Sequence, residues 1–189
     1  QMCIRDRESS VEDTGYDFVD PTAPRDSKDT NVKVGAEWQI SALTSGEAKI
    51  GYQKKNFDDN AREDFSGVAW TVNANWSPLT YSVFNIGTGR KAKDPLQGGD
   101  YIKETTYVAG WSHNWSETVQ TNLSYNRMEE DYVGVARKDE NDSYTASIKY
   151  AFRRFVDVSL FTTVTDKTSS VQGIEFDRNI TGISFDFSL

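Results

Sequence analysis

Polar side chains recur at every second position along several extended stretches, so on β-strands they would share one face. They combine ammonium groups, carboxylates and amides, which line water-filled pores and tune their selectivity. The candidate lumen-lining residues are Lys33, Glu37, Lys49, Asn73, Asn75, Gln120, Asn122, Lys149 and Asp157. Because both charge signs are mixed, the set favours sugar hydroxyls over ions of one sign. The alternative is a network of salt bridges that fills a narrow barrel.

The single histidine, His113, is the candidate for acid–base catalysis, because a hydrolase could pair it with the neighbouring Ser112. It lies, however, beside a short connection between Trp111 and Trp115. Barrel hydrolases work at the opposite end of their strands. We therefore interpret His113 as a turn or membrane-interface residue, and we expect no catalytic residues and no enzyme activity.

Two acidic clusters, at residues 58–64 and 139–142, could offer oxygen ligands to calcium or magnesium. Neither has the spacing of a calcium-binding loop with its central glycine. A solvated run of charges is the better interpretation, so we expect no metal site and no cofactor. These segments could still meet the divalent ions that bridge lipopolysaccharide phosphates.

The elements that position these side chains are strands, because apolar and polar residues alternate along the chain. The clearest strands lie near residues 32–40, 68–76, 144–152 and 156–164, and weaker ones near 48–53, 81–88, 105–112, 119–126 and 182–189. This pattern predicts nine strands and no helix. The chain has no run of about 18 apolar residues, so a transmembrane helix is excluded, whereas a membrane β-strand needs only alternation.

The predicted connections alternate between short and long. The short ones are "ALTSGE", "SPLT", "HNWSET" and "RRF", and the long ones are "KKNFDDNARED", "GRKAKDPLQGGDYIKE", "RMEEDYVGVARKDEND" and "DKTSSVQGIEFDRN". Outer-membrane barrels have short periplasmic turns and long extracellular loops. The sequence therefore predicts an all-β fold, an antiparallel up-and-down transmembrane β-barrel that is incomplete, with about nine strands in this chain.

Aromatic residues concentrate near the predicted strand ends, where Trp and Tyr favour the interface between lipid and water. The predicted membrane-interface aromatics are Trp38, Trp76, Trp111, Trp115, Tyr150 and Phe187. The chain ends on alternating apolar residues, Ile183, Phe185, Phe187 and Leu189. This ending resembles the C-terminal signal that the barrel assembly machinery reads, although that signal usually ends in Phe.

Composition limits the remaining possibilities. The net charge of -8 argues against nucleic acid, which needs a basic surface. The only cysteine is Cys3, so no internal disulfide can form. Residues 1–7, "QMCIRDR", resemble translated sequencing-adapter read-through and are set aside. We expect residues 8–30 to be an extracellular loop and residues 31–189 to be the C-terminal part of the barrel.

The ordered stretches "GAEWQISALTSGEAKIGYQKKNFDD", "DFSGVAWTVNANWSPLTYSVFNIGTGR", "GWSHNWSE" and "DYVGVARKDENDSYTASIKYAFRRFVDVSL" resemble a family of outer-membrane β-barrel porins. Members of this family are often encoded near exopolysaccharide or capsule synthesis genes, and they are longer. The resemblance implies a C-terminal fragment, preceded by at least one further strand. It supplies no catalytic residues.

The resemblance implies a bacterial outer-membrane protein that acts as a porin-like conduit or accessory in surface-polysaccharide export. The expected partners are outer-membrane lipid and lipopolysaccharide, the barrel assembly machinery and polysaccharide. Two alternatives stay open at this point. One is a structural barrel that does not conduct, and the other is a soluble, secreted β-sandwich that binds carbohydrate.

Overall fold

The computed structural model describes residues 2–14, 27–41, 43–57, 64–95, 99–153 and 155–187. These residues form ten β-strands: β1 (Met2–Thr14), β2 (Ser27–Ser41), β3 (Thr44–Phe57), β4 (Phe65–Leu79), β5 (Ser82–Lys93), β6 (Tyr101–Asn114), β7 (Val119–Val133), β8 (Arg137–Arg153), β9 (Val156–Ser169) and β10 (Phe176–Phe187). The described part of the chain contains no helix long and apolar enough to cross a membrane.

The ten strands form one antiparallel sheet in which spatial order equals sequence order, from β1 to β10. This up-and-down order confirms the predicted topology of sequential neighbours. A soluble β-sandwich needs two sheets packed face to face, so the single sheet makes that alternative wrong.

The nine predicted strands are confirmed as β2 to β10. The structure adds a tenth, β1, which occupies Met2–Thr14 and pairs with β2 along its length. The expectation of a loop over residues 8–30 is therefore wrong for residues 8–14 and for residues 27–30, which begin β2. Residues 15–26 of that expected loop lie outside the described residues. The adapter origin of residues 1–7 stays a prediction.

The connections follow the predicted asymmetry with one exception. At one end of the sheet, tight turns lie between β2 and β3, β4 and β5, β6 and β7, and β8 and β9. At the other end, residues 134–136 alone join β7 to β8, although we expected a long loop there. The pairing of β7 with β8 continues up to this turn because Arg127 pairs with Glu140 at 2.7 Å and Lys138 pairs with Asp131 at 3.7 Å. The turn itself can be tight because Gly134 adopts a positive φ of 86°.

The registers divide the side chains into two faces, because directly paired residues of antiparallel strands point the same way. Ile148, Leu160 and Ile183 form one cross-strand row, and the next row is Lys149, Ser159 and Ser184. The registers extend both kinds of row to the other strands. We call the face that contains the first row the apolar face, and the face that contains the second row the polar face. The apolar face carries large exposed side chains, including Ile50, Ile86 and Leu160 at 60%, 63% and 50% exposure.

The polar face is the concave one. On this face, side chains form ion pairs over an intervening strand. Lys55 on β3 lies 2.8 Å from Asp94, which follows β5, and Lys93 on β5 pairs with Glu130 on β7. Such contacts require the sheet to curve so that the strands on either side of the intervening one approach each other on the polar face. Apart from Ser82 at a turn, the buried polar side chains all lie on this face: Gln53, Lys55, Glu104, Glu130, Asp139 and Thr165.

Candidate functional site

The registers place all nine predicted lumen-lining residues on the polar face. On β2 and β3, the Lys49 ammonium lies 3.4 Å from Glu47 and 3.9 Å from Glu37, and Asn73 on β4 donates a 2.9 Å hydrogen bond to Glu47. On β8 and β9, Lys149 pairs with Asp157. The charged members thus fall into two groups on the polar face, one on β2 and β3 and the other on β8 and β9. Their pore-lining role stays a prediction.

Between these charged groups, the polar face of β4 to β7 is largely uncharged. We call this region the neutral strip. Its amide and hydroxyl side chains are Thr71, Asn73, Asn75, Asn85, Thr106, Ser112, Gln120, Asn122 and Ser124. Within it the Ser112 hydroxyl donates to the Asn122 amide oxygen at 2.7 Å. Val83 and Val108 are its apolar members.

Glycines keep the neutral strip close to the backbone. A Cβ atom at Gly110 would lie 2.2 Å from the Asn85 amide oxygen, and one at Gly87 would lie 2.6 Å from the Asn73 amide oxygen. Each glycine therefore leaves room for an amide of the neighbouring strand to fold across it. The amides lie along the wall of the concave face and do not stand out from it.

Above the neutral strip, towards the long connections, lies a row of three carboxylates that the sequence analysis missed. Glu104, Glu130 and Asp139 are direct cross-strand partners on β6, β7 and β8, and they are 8%, 9% and 2% exposed. Directly opposed like charges repel each other and destabilise a sheet. The row therefore requires cations close by.

Lysine and arginine side chains supply these cations. Lys93 bridges Glu104 and Glu130, while Lys167 lies 3.1 Å from Asp139. Arg137 donates to both oxygens of Asp139, and Ser169 adds a 2.7 Å hydrogen bond. We call this cluster the charged collar. The signal that could have found it is register, which the sequence alone does not supply.

The charged collar at Asp139 lies outside the bilayer, because its neighbours Lys138 and Glu140 place charges on the opposite, outward side of the same strand. The Arg137 guanidinium, which hydrogen-bonds to the Asp139 carboxylate, holds the pKa of that carboxyl well below its usual range. Asp139 is therefore ionised over the whole physiological pH range.

Five of the six predicted interface aromatics lie on the apolar face near the tight turns: Trp38, Trp76, Trp111, Tyr150 and Phe187. The sixth, Trp115, lies in the turn between β6 and β7. Trp76, Phe84 and Trp111 form a stack across three strands, with ring centroids 5.4 and 6.2 Å apart.

The residues of the predicted assembly signal follow the same pattern. Ile183, Phe185 and Phe187 share the apolar face of β10 and are 62%, 60% and 71% exposed. Leu189 lies outside the described residues. Recognition by the assembly machinery stays a prediction.

His113 and Ser112 point to opposite faces of β6, so the pairing that a hydrolase needs does not form. The His113 ring lies 4.3 Å from that of Trp115 and 5.3 Å from that of Trp111, within the aromatic band, while Ser112 donates to Asn122 on the polar face. This geometry agrees with the interpretation of His113 as an interface residue.

Among the described residues, no group of three or more His, Cys, Asp or Glu side chains is arranged to hold a metal ion. Residues 139–142 belong to β8, so Asp139 and Glu140 point to opposite faces. In the other cluster, residues 58–63 lie outside the described residues.

A single antiparallel sheet in sequence order, with an exposed apolar face, aromatic residues at its edge and a concave polar face, defines a β-barrel of the outer-membrane porin class. The chain belongs to the family described as "Putative beta-barrel porin 2", which its sequence matches over residues 8–188. Family and fold place the protein in the bacterial outer membrane. No curated protein matches the sequence.

Two solved structures share the fold. One is OmpTdeltaL8, a loop L8 deletion mutant of the outer-membrane protein OmpT of Vibrio cholerae, with 11% identity and a TM-score of 0.51 over 95% of this chain. The chain spans 62% of the length of that structure. The other is the porin NanC, with 10% identity and a TM-score of 0.51 over 99% of each chain.

Proposed function

We propose that this chain forms a porin-like conduit for hydrophilic, sugar-based solutes in the export of exopolysaccharide or capsule. The neutral strip is the observation that carries this proposal. Its amides and hydroxyls both donate and accept hydrogen bonds, so they can replace the hydration of sugar hydroxyls. They carry no charge that would attract or repel ions of one sign.

The charges that flank the neutral strip support a preference for neutral solutes. Lys49 lies near Glu37 and Glu47, and Lys149 is paired with Asp157. Because each cation has a carboxylate nearby, their fields largely cancel at the distance of a solute in the lumen. The glycines that hold Asn73 and Asn85 against the wall leave the lumen wider than projecting side chains would.

The link to polysaccharide export rests on the family resemblance, whose members are often encoded beside exopolysaccharide or capsule synthesis genes. The neutral strip fits this role because the repeating units of such polymers present rows of hydroxyl groups. The runner-up is a barrel with a structural role that does not conduct, in which side chains of the charged collar close the lumen.

Flux measurements in proteoliposomes test the proposal. The full chain is reconstituted, and entry of neutral oligosaccharides of increasing length is compared with entry of potassium and chloride. We expect oligosaccharides to enter and the two ions to permeate at similar rates. Correctly folded, heat-modifiable protein that admits no oligosaccharide would refute the conduit and favour the structural barrel.

A matched pair of variants connects the flux to the neutral strip. Asn122→Asp adds a negative charge to the strip and is expected to raise the permeability ratio of potassium to chloride. Asn179→Asp adds the same charge on the outward face of β10 and is expected to leave that ratio unchanged. Equal ratios for both variants would show that the polar face does not line the pathway.

A further inference from the structure

On the outward face of the sheet, aromatic side chains give way to charged ones at one level near the long connections. On β3 the last outward aromatic, Tyr52, is followed two residues later by Lys54, and on β7 Tyr125 is followed by Arg127. On β8 Tyr144 is preceded by Asp142. The apolar band that faces lipid thus ends here, opposite the tight turns that mark the periplasmic end. This level is the interface between the outer leaflet and the external water.

Two outward basic side chains at this level lie over aromatic rings and have no acidic partner among the residues that the structure describes. The Arg90 guanidinium lies over the Trp70 ring at 5.5 Å, and the Lys103 ammonium lies 5.7 Å from the Tyr101 ring. Asp131, which is opposite Lys103 in the register, lies 3.7 Å from Lys138.

The neighbouring outward cations differ from these two. Arg127 is held by Glu129 at 2.8 Å and Glu140 at 2.7 Å, and Lys138 lies near Asp131. Lys54 is likewise an outward cation without an acidic partner among the described residues, but it stands apart on β3, whereas Arg90 on β5 and Lys103 on β6 lie on neighbouring strands.

Arg90 and Lys103 line one wall of an outward cleft of about 370 Å³. Trp70 and Tyr107 lie in the same wall, and the opposite wall on β7 and β8 is lined by Lys138 and by acidic residues, among them Glu129 and Glu140. A guanidinium and an ammonium together bind phosphate through charge-assisted hydrogen bonds. The aromatic rings below them offer an apolar surface at the depth where lipid chains begin.

We propose that Arg90 and Lys103 form a binding site for a phosphate of the lipopolysaccharide anchor in the outer leaflet. Trp70 and Tyr107 contact the sugar and the upper part of an acyl chain. The carboxylates of the opposite wall repel phosphate, and so they confine it to the β5–β6 side of the cleft. The site faces lipid and does not depend on whether the barrel conducts.

Native mass spectrometry of the full chain in detergent micelles tests this site, with bisphosphorylated lipid A as the probe. Arg90→Gln combined with Lys103→Gln is expected to weaken lipid A binding by about tenfold or more, since a hydrogen bond to a charged group contributes roughly 1.5–3 kcal/mol. The control combines Lys33→Gln with Lys54→Gln, two lysines that do not line the cleft. It removes the same charge outside the site and is expected to weaken binding by less than about twofold, because isolated surface charges contribute little.

Two further arms make the result decisive. Combining Arg90→Lys with Lys103→Arg keeps both charges and is expected to retain binding, which separates loss of the site from loss of folding. Millimolar inorganic phosphate is expected not to displace lipid A, because it lacks the apolar contacts. Equal weakening by the glutamine pair and the control, or displacement by inorganic phosphate, would overturn the proposal.

Discussion

Replacing Leu160 by arginine is expected to destabilise the folded chain in a lipid bilayer, because Leu160 faces lipid near the middle of the apolar band. It is the third of the first five outward positions on β9, which are Val156, Val158, Leu160, Thr162 and Val164 and precede the charged Asp166. Its cross-strand partners Ile148 and Ile183 are also apolar and are 46% and 62% exposed.

The expected loss of stability depends on how deep the substituted side chain lies in the bilayer. An arginine on the lipid face costs about 2–4 kcal/mol at the bilayer midplane, which corresponds to roughly a 30- to 900-fold change in the unfolding equilibrium constant. Ser159→Arg is the matched control. Ser159 is the next residue on the same strand, lies on the polar face and has Lys149 and Ser184 as cross-strand partners, so we expect a cost below about 1 kcal/mol, as for an exposed substitution.

Unfolding by urea from lipid vesicles, followed by tryptophan fluorescence and by heat-modifiable gel migration, measures both free energies. The expected order is wild type, Ser159→Arg close to it, and Leu160→Arg well below. Equal losses for the two variants, or a larger loss for Ser159→Arg, would refute the assignment of the apolar face to lipid.

Further predictions concern the polar face. Gly51→Ala is expected to reduce the free energy of unfolding by roughly 1–3 kcal/mol, because its Cβ would lie 2.0 Å from the Val32 carbonyl oxygen. In the control Gly89→Ala, the added Cβ meets nothing closer than 3.3 Å. Similar midpoints of urea unfolding for the two variants would contradict this prediction. Asp139→Asn is expected to cost roughly 1–3 kcal/mol at pH 7, because it leaves Arg137 and Lys167 without their carboxylate. Since the pKa of Asp139 is lowered in the folded state, its stabilisation is complete above about pH 4 and is lost as the pH falls further. The difference between wild type and Asp139→Asn in urea unfolding is therefore expected to shrink below about pH 4, and a constant difference down to pH 2 would contradict it.

Much of the fold could be predicted from the sequence, because a strand with lipid on one side and polar groups on the other shows a strict period of two. That period places Trp76 and Asn75, or Lys149 and Tyr150, on opposite faces without knowledge of any neighbouring strand. The tight turns could be predicted as well, because they are short and lie between strongly alternating segments.

The extension of β7 and β8 could not be predicted in the same way, since a charged stretch such as "RKDENDSY" has the composition of a solvated loop. It is a strand because ion pairs such as Arg127–Glu140 form only once the register is set. The charged collar was missed for the same reason: Glu104, Glu130 and Asp139 are far apart in sequence, and only the sheet brings them side by side.

The central claim is that adjacent residues of one strand face water and lipid in turn, and cysteine labelling tests it most directly. Cys3→Ser removes the only native thiol, and Asn122→Cys and Leu123→Cys then place single thiols on the polar and apolar faces of β7. In reconstituted vesicles, a charged, membrane-impermeant thiol reagent is expected to modify the Asn122→Cys variant, while only a lipid-soluble reagent modifies the Leu123→Cys variant. The reverse pattern, or equal modification of both variants by the charged reagent, would contradict the account.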